Sequence, residues 1–172
     1  MNHPVIKINV RNYGTMTAEL YPEFAPKTVA NFLNLIEKKF FDGKIFHRII
    51  KGFMIQGGGY SEGFYAGNVD EKGAEPIRGE FAANGFVQNT LKHTRGVLSM
   101  ARTSDPDSAT SQFFVMHKDA PHLDAQYAGF GKVTDGLDVL DSIASVKTGR
   151  LGWFGDVPRE PVVIESITLS EE

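Results

Sequence analysis

The chain has 172 residues, 41% hydrophobic and 23% charged, with a formal net charge of −3 and no cysteine. That length suits one domain with a sizeable core, at the composition of an ordinary soluble globule. The missing cysteine excludes a disulfide scaffold, thiolate-bound zinc and thiol catalysis.

Lysine and arginine are scattered, with no block longer than Lys38-Lys39. The charge therefore offers no footprint for nucleic acid and no polybasic membrane tether. Met1-Asn2-His3-Pro4-Val5-Ile6 has neither a charged n-region nor an apolar h-region, so no signal peptide is expected. No apolar run approaches the roughly 18 residues of a membrane span. The expectation is a cytoplasmic protein.

In chain order, Ile6, Ile8 and Val10 alternate with Lys7 and Asn9, the period of a half-buried strand. Asn12-Tyr13-Gly14 marks a turn, and Met16, Ala18 and Leu20 alternate after it, which predicts a hairpin. From Pro26, the residues Val29, Phe32, Leu33 and Ile36 fall on one helical face, with proline suited to the first turn. Asp42-Gly43 ends that helix.

The run Ile45-Phe46-His47-Arg48-Ile49-Ile50-Lys51-Gly52-Phe53-Met54-Ile55-Gln56-Gly57-Gly58-Gly59 sets one arginine and one glutamine among large apolar residues. Arg48 and Gln56 share a face if the stretch stays extended, and His47 then points to the other side. A permanently charged guanidinium against apolar surface is costly unless paired or used. The plain alternative is a surface arginine whose stem covers a core edge.

Gly57 to Gly79 reads as a long glycine-rich loop. Leu98-Ser99-Met100-Ala101 and Ser111-Gln112-Phe113-Phe114-Val115-Met116 are further strand-like runs. A second helix follows Thr134-Asp135-Gly136, with Leu137, Leu140, Ile143 and Ala144 on one face, and residues 161–169 close the chain as a strand. There is no repeat or linker, so residues 1–172 read as a single domain. Many short strands with two helices suggest a sandwich or barrel.

Three other constellations carry less. Gly59-Tyr60-Ser61-Glu62-Gly63 matches a nucleophile elbow, but Phe64-Tyr65-Ala66-Gly67-Asn68 is glycine-broken where a helix should start. His117 and His122 flank Pro121, which argues against one helical face, so a solvated loop is expected rather than a metal pair. The glycine triplet lacks the dinucleotide fingerprint. No metal or cofactor is expected.

The F-H-R-I-I, G-F-M-I-Q-G-G, L-S-M-A, S-Q-F-F and F-G-K-V blocks, in this order and spacing, resemble the cyclophilins, which are peptidyl-prolyl cis-trans isomerases. The resemblance runs from Val5 to about Leu169, and the loops Ala101–Pro106 and Asp156–Ile164 match the bacterial type. It implies an all-β fold, an eight-stranded closed antiparallel β-barrel capped by two α-helices.

It also implies that Arg48 is catalytic. Phe53, Met54, Phe114 and Leu123 would form the proline pocket, Gln56 and the backbone near Arg102 would grip the substrate chain, and Ala101 and Gln112 would line the neighbouring groove. Composition alone does not separate Phe53, Phe114 and Leu123 from core residues such as Phe32 or Phe81. His122 stands where many relatives carry tryptophan, and Tyr127 where many carry histidine. The implied partners are proline-containing polypeptides, with weak cyclosporin binding, no nucleic acid and no membrane, and the chain is expected to be a monomer. A proline-peptide binding module is the alternative to an enzyme; Arg48 favours the enzyme.

Overall fold

The computed structural model describes residues 3–68 and 74–170. Strands β1 (Val5–Val10) and β2 (Gly14–Leu20) form the expected hairpin, with Asn12 at a φ of 69° in its turn. Helix α1 (Pro26–Glu37) follows, with proline in its first turn and Thr28, Val29, Phe32, Leu35 and Ile36 buried. Its N-terminus is satisfied from a distance. The buried Glu80 carboxylate accepts from the Lys27 and Thr28 amides and the Thr28 hydroxyl at 2.7–3.1 Å. A carboxylate suits the free amides and positive end of a helix dipole.

The chain continues through β3 (Lys44–Ile50), β4 (Met54–Ser61), β5 (Val97–Met100), β6 (Phe113–Met116) and β7 (Gly129–Asp135). Helix α2 (Leu137–Ala144), a small hairpin of β8 (Thr148–Leu151) and β9 (Phe154–Pro158), and β10 (Ile164–Ser170) complete it. Eight strands form one sheet in the order β10-β1-β2-β7-β5-β6-β4-β3, and every pair is antiparallel. Phe32 of α1 packs its ring against Phe41, Phe113 and Phe130 at 4.8–5.3 Å between centroids, the centre of the main core.

The expected closed barrel is corrected to an open half-barrel. The ladder runs from β10 to β3 without joining its ends. One isolated bridge, Ile45 to Val163, spans the gap, with Phe46 N–H donating to Val162 O and Gly43 N–H to Ile164 O. Strand β9 also packs against β3.

Two other expectations change. The Ile45–Gly59 run does not stay extended: a turn at Lys51–Phe53 folds it into the β3–β4 hairpin. The loop expected from Gly57 begins later, since β4 reaches Ser61 and a 3-10 turn spans Glu62–Ala66. The glycines serve packing. A Cβ on Gly57 would lie 2.4 Å from the Ile45 carbonyl oxygen, and Gly58, at a φ of +91°, would meet the Phe113 ring at 2.9 Å. The β8–β9 hairpin has no signature in the sequence, because glycines interrupt its alternation.

Candidate active site

The hairpin turn is what brings Arg48 to Gln56. They are cross-strand partners, and the row continues across the sheet as Arg48, Gln56, Phe114 and Ser99 on β3, β4, β6 and β5. A second row, Ile50, Met54 and Met116, lies two residues along. Because side chains alternate, both rows share one face, while Ile49, Ile55, Val115 and Leu98 turn to the main core.

This outer face carries a pocket of about 140 Å3 lined by Arg48, Phe53, Met54, Gln56, Ala101, Arg102, Phe114, Leu123 and Tyr127. Gln56, Ala101 and Arg102 also border a second depression, of about 180 Å3, completed by Thr103, Ser108, Thr110 and Gln112. His122 lies outside the pocket wall, exposed, with its ring stacked on Phe53 at 5.8 Å and 29°. The turn Pro121–Leu123 explains the split: it buries Leu123 and leaves His122 at the rim. A larger groove of about 730 Å3 between α1 and β10 contains none of these residues.

Arg48 is exposed, and its Nη1 donates to Gln56 Oε1 at 3.2 Å. Gln56 Nε2 donates in turn to Gln112 Oε1 at 3.0 Å. Gly59 makes room for that amide, since a Cβ there would lie 2.5 Å from Gln112. Among the described residues no carboxylate pairs with Arg48. Its charge is held in direction without being neutralised.

Arg102 differs. Its guanidinium lies between the Phe81 and Tyr127 rings at 4.7 and 4.6 Å, and donates to the Thr103 and Gln126 carbonyls. That charge is engaged in cation–π and backbone contacts. Tyr127 meets Phe114 edge to face at 5.7 Å.

Beneath the pocket stands an array that the sequence reading missed. His93 Nε2 meets Ser99 Oγ at 2.8 Å, and Nδ1 meets Asp124 Oδ1 at 3.2 Å. The connectivity is that of a serine hydrolase triad. However, Ser99 and His93 are 0% and 1% exposed, so no substrate carbonyl reaches the hydroxyl. The imidazole instead supports the Phe114 ring, stacked at 6.1 Å and 22°. Burial lowers the His93 pKa, with Asp124 opposing. Ser61, the elbow serine, ends β4 opposite Lys44 and precedes a 3-10 turn, so the strand-to-helix context of an elbow is missing.

The other histidines are also placed by tertiary contacts. Successive side chains of β3 alternate, so Phe46 enters the main core and His47 a separate aromatic cluster; the register shifts between Phe46 and Arg48. His47 meets Tyr60, Phe64 and Phe154 at 4.9–6.4 Å. Burial, helped by the neighbouring Arg48 charge, lowers its pKa to about 4. His117 is not in a solvated loop: it is buried, between the Gly52 amide and Asp141. Among the described residues no group of three or more histidines and carboxylates is placed to hold a metal, and no helix is long and apolar enough to cross a membrane.

The half-barrel thus presents a pocket of mixed apolar and polar lining, with a guanidinium at its edge that no carboxylate pairs with among the described residues. Residues 5–169 match the family model described as cyclophilin type peptidyl-prolyl cis-trans isomerase/CLD. Peptidyl-prolyl cis-trans isomerase B of Escherichia coli K12 is 44% identical over 168 residues, covering 93% of this chain and 96% of that protein. The peptidyl-prolyl cis-trans isomerase of Acinetobacter baylyi is 47% identical over 164 residues, covering 92% of this chain and 81% of its own.

Among solved structures, a cyclophilin type isomerase of Cryptosporidium parvum superposes with a TM-score of 0.82 at 29% identity, covering 99% of both chains. A second structure of that protein, determined in the presence of the dipeptide Ala-Pro, gives 0.80 at 30% identity, covering 98% and 99%. The chain belongs to the cyclophilin-type peptidyl-prolyl cis-trans isomerases. Its reaction is the interconversion of cis and trans X–Pro peptide bonds.

Proposed function

We propose that Arg48 carries the catalysis by binding the twisted X–Pro amide more tightly than either planar form, in unfolded or flexible chains during protein folding. Rotation about a peptide bond faces about 18–20 kcal/mol, because resonance gives the C–N bond double-bond character. For X–Pro both isomers are populated, and exchange takes tens to hundreds of seconds. Only interactions stronger in the transition state than in the ground state accelerate it.

In the twisted state the prolyl nitrogen regains a lone pair and accepts a hydrogen bond. Arg48 has donors to offer it, and the carrying observation is that this guanidinium lacks a carboxylate partner among the described residues while Gln56 fixes its direction. A charged hydrogen bond is worth about 1.5–3 kcal/mol, roughly one to two decades of rate. Met54, Phe114, Leu123 and Phe53 offer the apolar surface for the pyrrolidine ring, with Tyr127 closing one side. Gln56, Gln112, Ala101 and Arg102 border the path of the flanking chain. The Ala-Pro dipeptide used with the Cryptosporidium protein is of the substrate class this pocket suits.

The same reading takes the chain as one domain and the enzyme as a cytoplasmic monomer that uses no cofactor and binds cyclosporin weakly. A protease-coupled prolyl peptide assay, comparing wild type with Arg48→Ala, tests the mechanism. A folded variant with near-normal catalytic efficiency would refute the role of Arg48. Peptide binding without any catalysis by the wild type would point to a binding module instead.

A further inference from the structure

We propose that His117 is a positioning residue for substrate binding, acting through the turn that carries Phe53. The proposal rests on Phe53 as a wall of the substrate pocket. His117 follows the end of β6, one residue after Met116, buried and outside the pocket. Its Nδ1 accepts the Gly52 N–H at 2.8 Å, and its Nε2 meets Asp141 Oδ1 at 3.0 Å. Nδ1 must therefore present its lone pair, and the ring proton sits on Nε2, donated to the carboxylate.

The support runs back into the fold. Asp141 projects from α2 and is gripped by Arg95 through two bonds of 2.8 and 2.9 Å; Arg95 also donates to the His117 carbonyl at 3.1 Å. That grip, with the His117 bond, holds the Asp141 pKa below its ordinary value. The chain of contacts thus leads from α2 to the tip of the β3–β4 hairpin.

At the tip, Phe53 is held through its backbone and its ring, which stacks on His122. Lys51 and Gly52 are exposed, and Gly52 adopts a φ of +82°. Phe53 N–H donates to Ile50 O within the turn, and the His117 and Lys118 backbone N–H groups donate to Phe53 O at 2.9 and 3.4 Å. The His117 ring is the bond that fixes the residue immediately before Phe53. Losing it frees the Gly52 peptide to rotate and lets the Phe53 ring leave the pocket wall. Because a Phe53 contact to the proline ring is made in planar and twisted forms alike, the effect falls on KM more than on kcat.

Two amide substitutions separate this from a general structural role. His117→Asn places an amide oxygen near the Nδ1 position, keeping an acceptor for Gly52 but not reaching Asp141. His117→Gln does the reverse, reaching Asp141 and leaving Gly52 without a partner. In the protease-coupled assay, His117→Gln is expected to raise KM about fivefold with kcat within about twofold, the size of one ordinary hydrogen bond. His117→Asn, which keeps the acceptor for Gly52 and loses only the Asp141 bond, is expected to raise KM by clearly less than His117→Gln does. An unchanged KM in His117→Gln, equal losses in both variants, or a loss confined to kcat would each overturn the proposal. Failure of the Arg48 mechanism would instead be read on Arg48→Ala and leaves this KM pattern intact.

Discussion

His47 and Arg48 are neighbours on β3, yet they inhabit opposite environments. His47 enters an aromatic cluster of Tyr60, Phe64 and Phe154, and its Nδ1 is buried without a hydrogen-bond partner among the described residues. Arg48 borders a pocket walled by Phe53, Phe114 and Tyr127, with the guanidinium in reach of solvent. Both surroundings are aromatic. One is filled and one is open, so the first suppresses a charge and the second preserves one. Burial penalises the charged form of a histidine that can shed its proton; an arginine cannot shed its own and must be left accessible or paired.

The largest test of that contrast is Phe64→Ala. Phe64 is fully enclosed in the His47 cluster, and removing a buried phenylalanine costs about 3–5 kcal/mol. Urea unfolding should show this loss, while catalysis per folded molecule stays at the wild-type level. A loss below roughly 1 kcal/mol would mean the cluster is not a packed core.

Acid should reach the closed side before it reaches the open one. In the fold His47 holds a pKa of about 4, below the ordinary 6.5. Between those values the unfolded state binds more protons, so stability falls as pH drops from about 6.5 toward 4 and is flat above that window for this group. The full contribution is on the order of 3 kcal/mol, and His93, also lowered by burial, acts in the same direction. Thermal unfolding across this range should give a flatter profile for His47→Phe. An unchanged profile would remove His47 as the source.

On the open side, Arg48→Ala should lower kcat/KM at least tenfold without a comparable change in unfolding midpoint, with circular dichroism reporting the fold. The smallest expected effect is at the rim. His122→Trp should tighten cyclosporin by roughly tenfold, because an indole adds several tens of Å2 of apolar surface worth about 1–2 kcal/mol. Turnover of a short prolyl peptide should barely change. Calorimetric titration giving equal affinity for both forms would place position 122 outside the drug contact.

The β1–β2 hairpin and α1 were legible because alternation and 3.6-residue spacing are local properties of Ile6–Leu20 and Pro26–Ile36. Arg48 and Gln56 were legible as unusual residue types, but their relation was not: the turn at Gly52 makes them cross-strand partners rather than points on one extended strand. Glu80, His93 and His117 gave no local signal. Glu80 and His117 meet partners 52 and 65 residues away, at Thr28 and Gly52, and His93 joins Ser99, six residues on, to Asp124, 31 residues on. No window of sequence distinguishes a buried, satisfied histidine from a solvated one.

By itself the sequence determined the family blocks, the apolar periods of the main elements, and the placing of one arginine among large apolar side chains. Those are matters of residue type and spacing. Only the tertiary structure decided that β9 lies against β3, that the hairpin turn makes Arg48 and Gln56 cross-strand partners, and that His93 and His117 are buried against partners outside the pocket. Each depends on which distant groups meet. A polar side chain takes its role from the partner that satisfies it once water is gone.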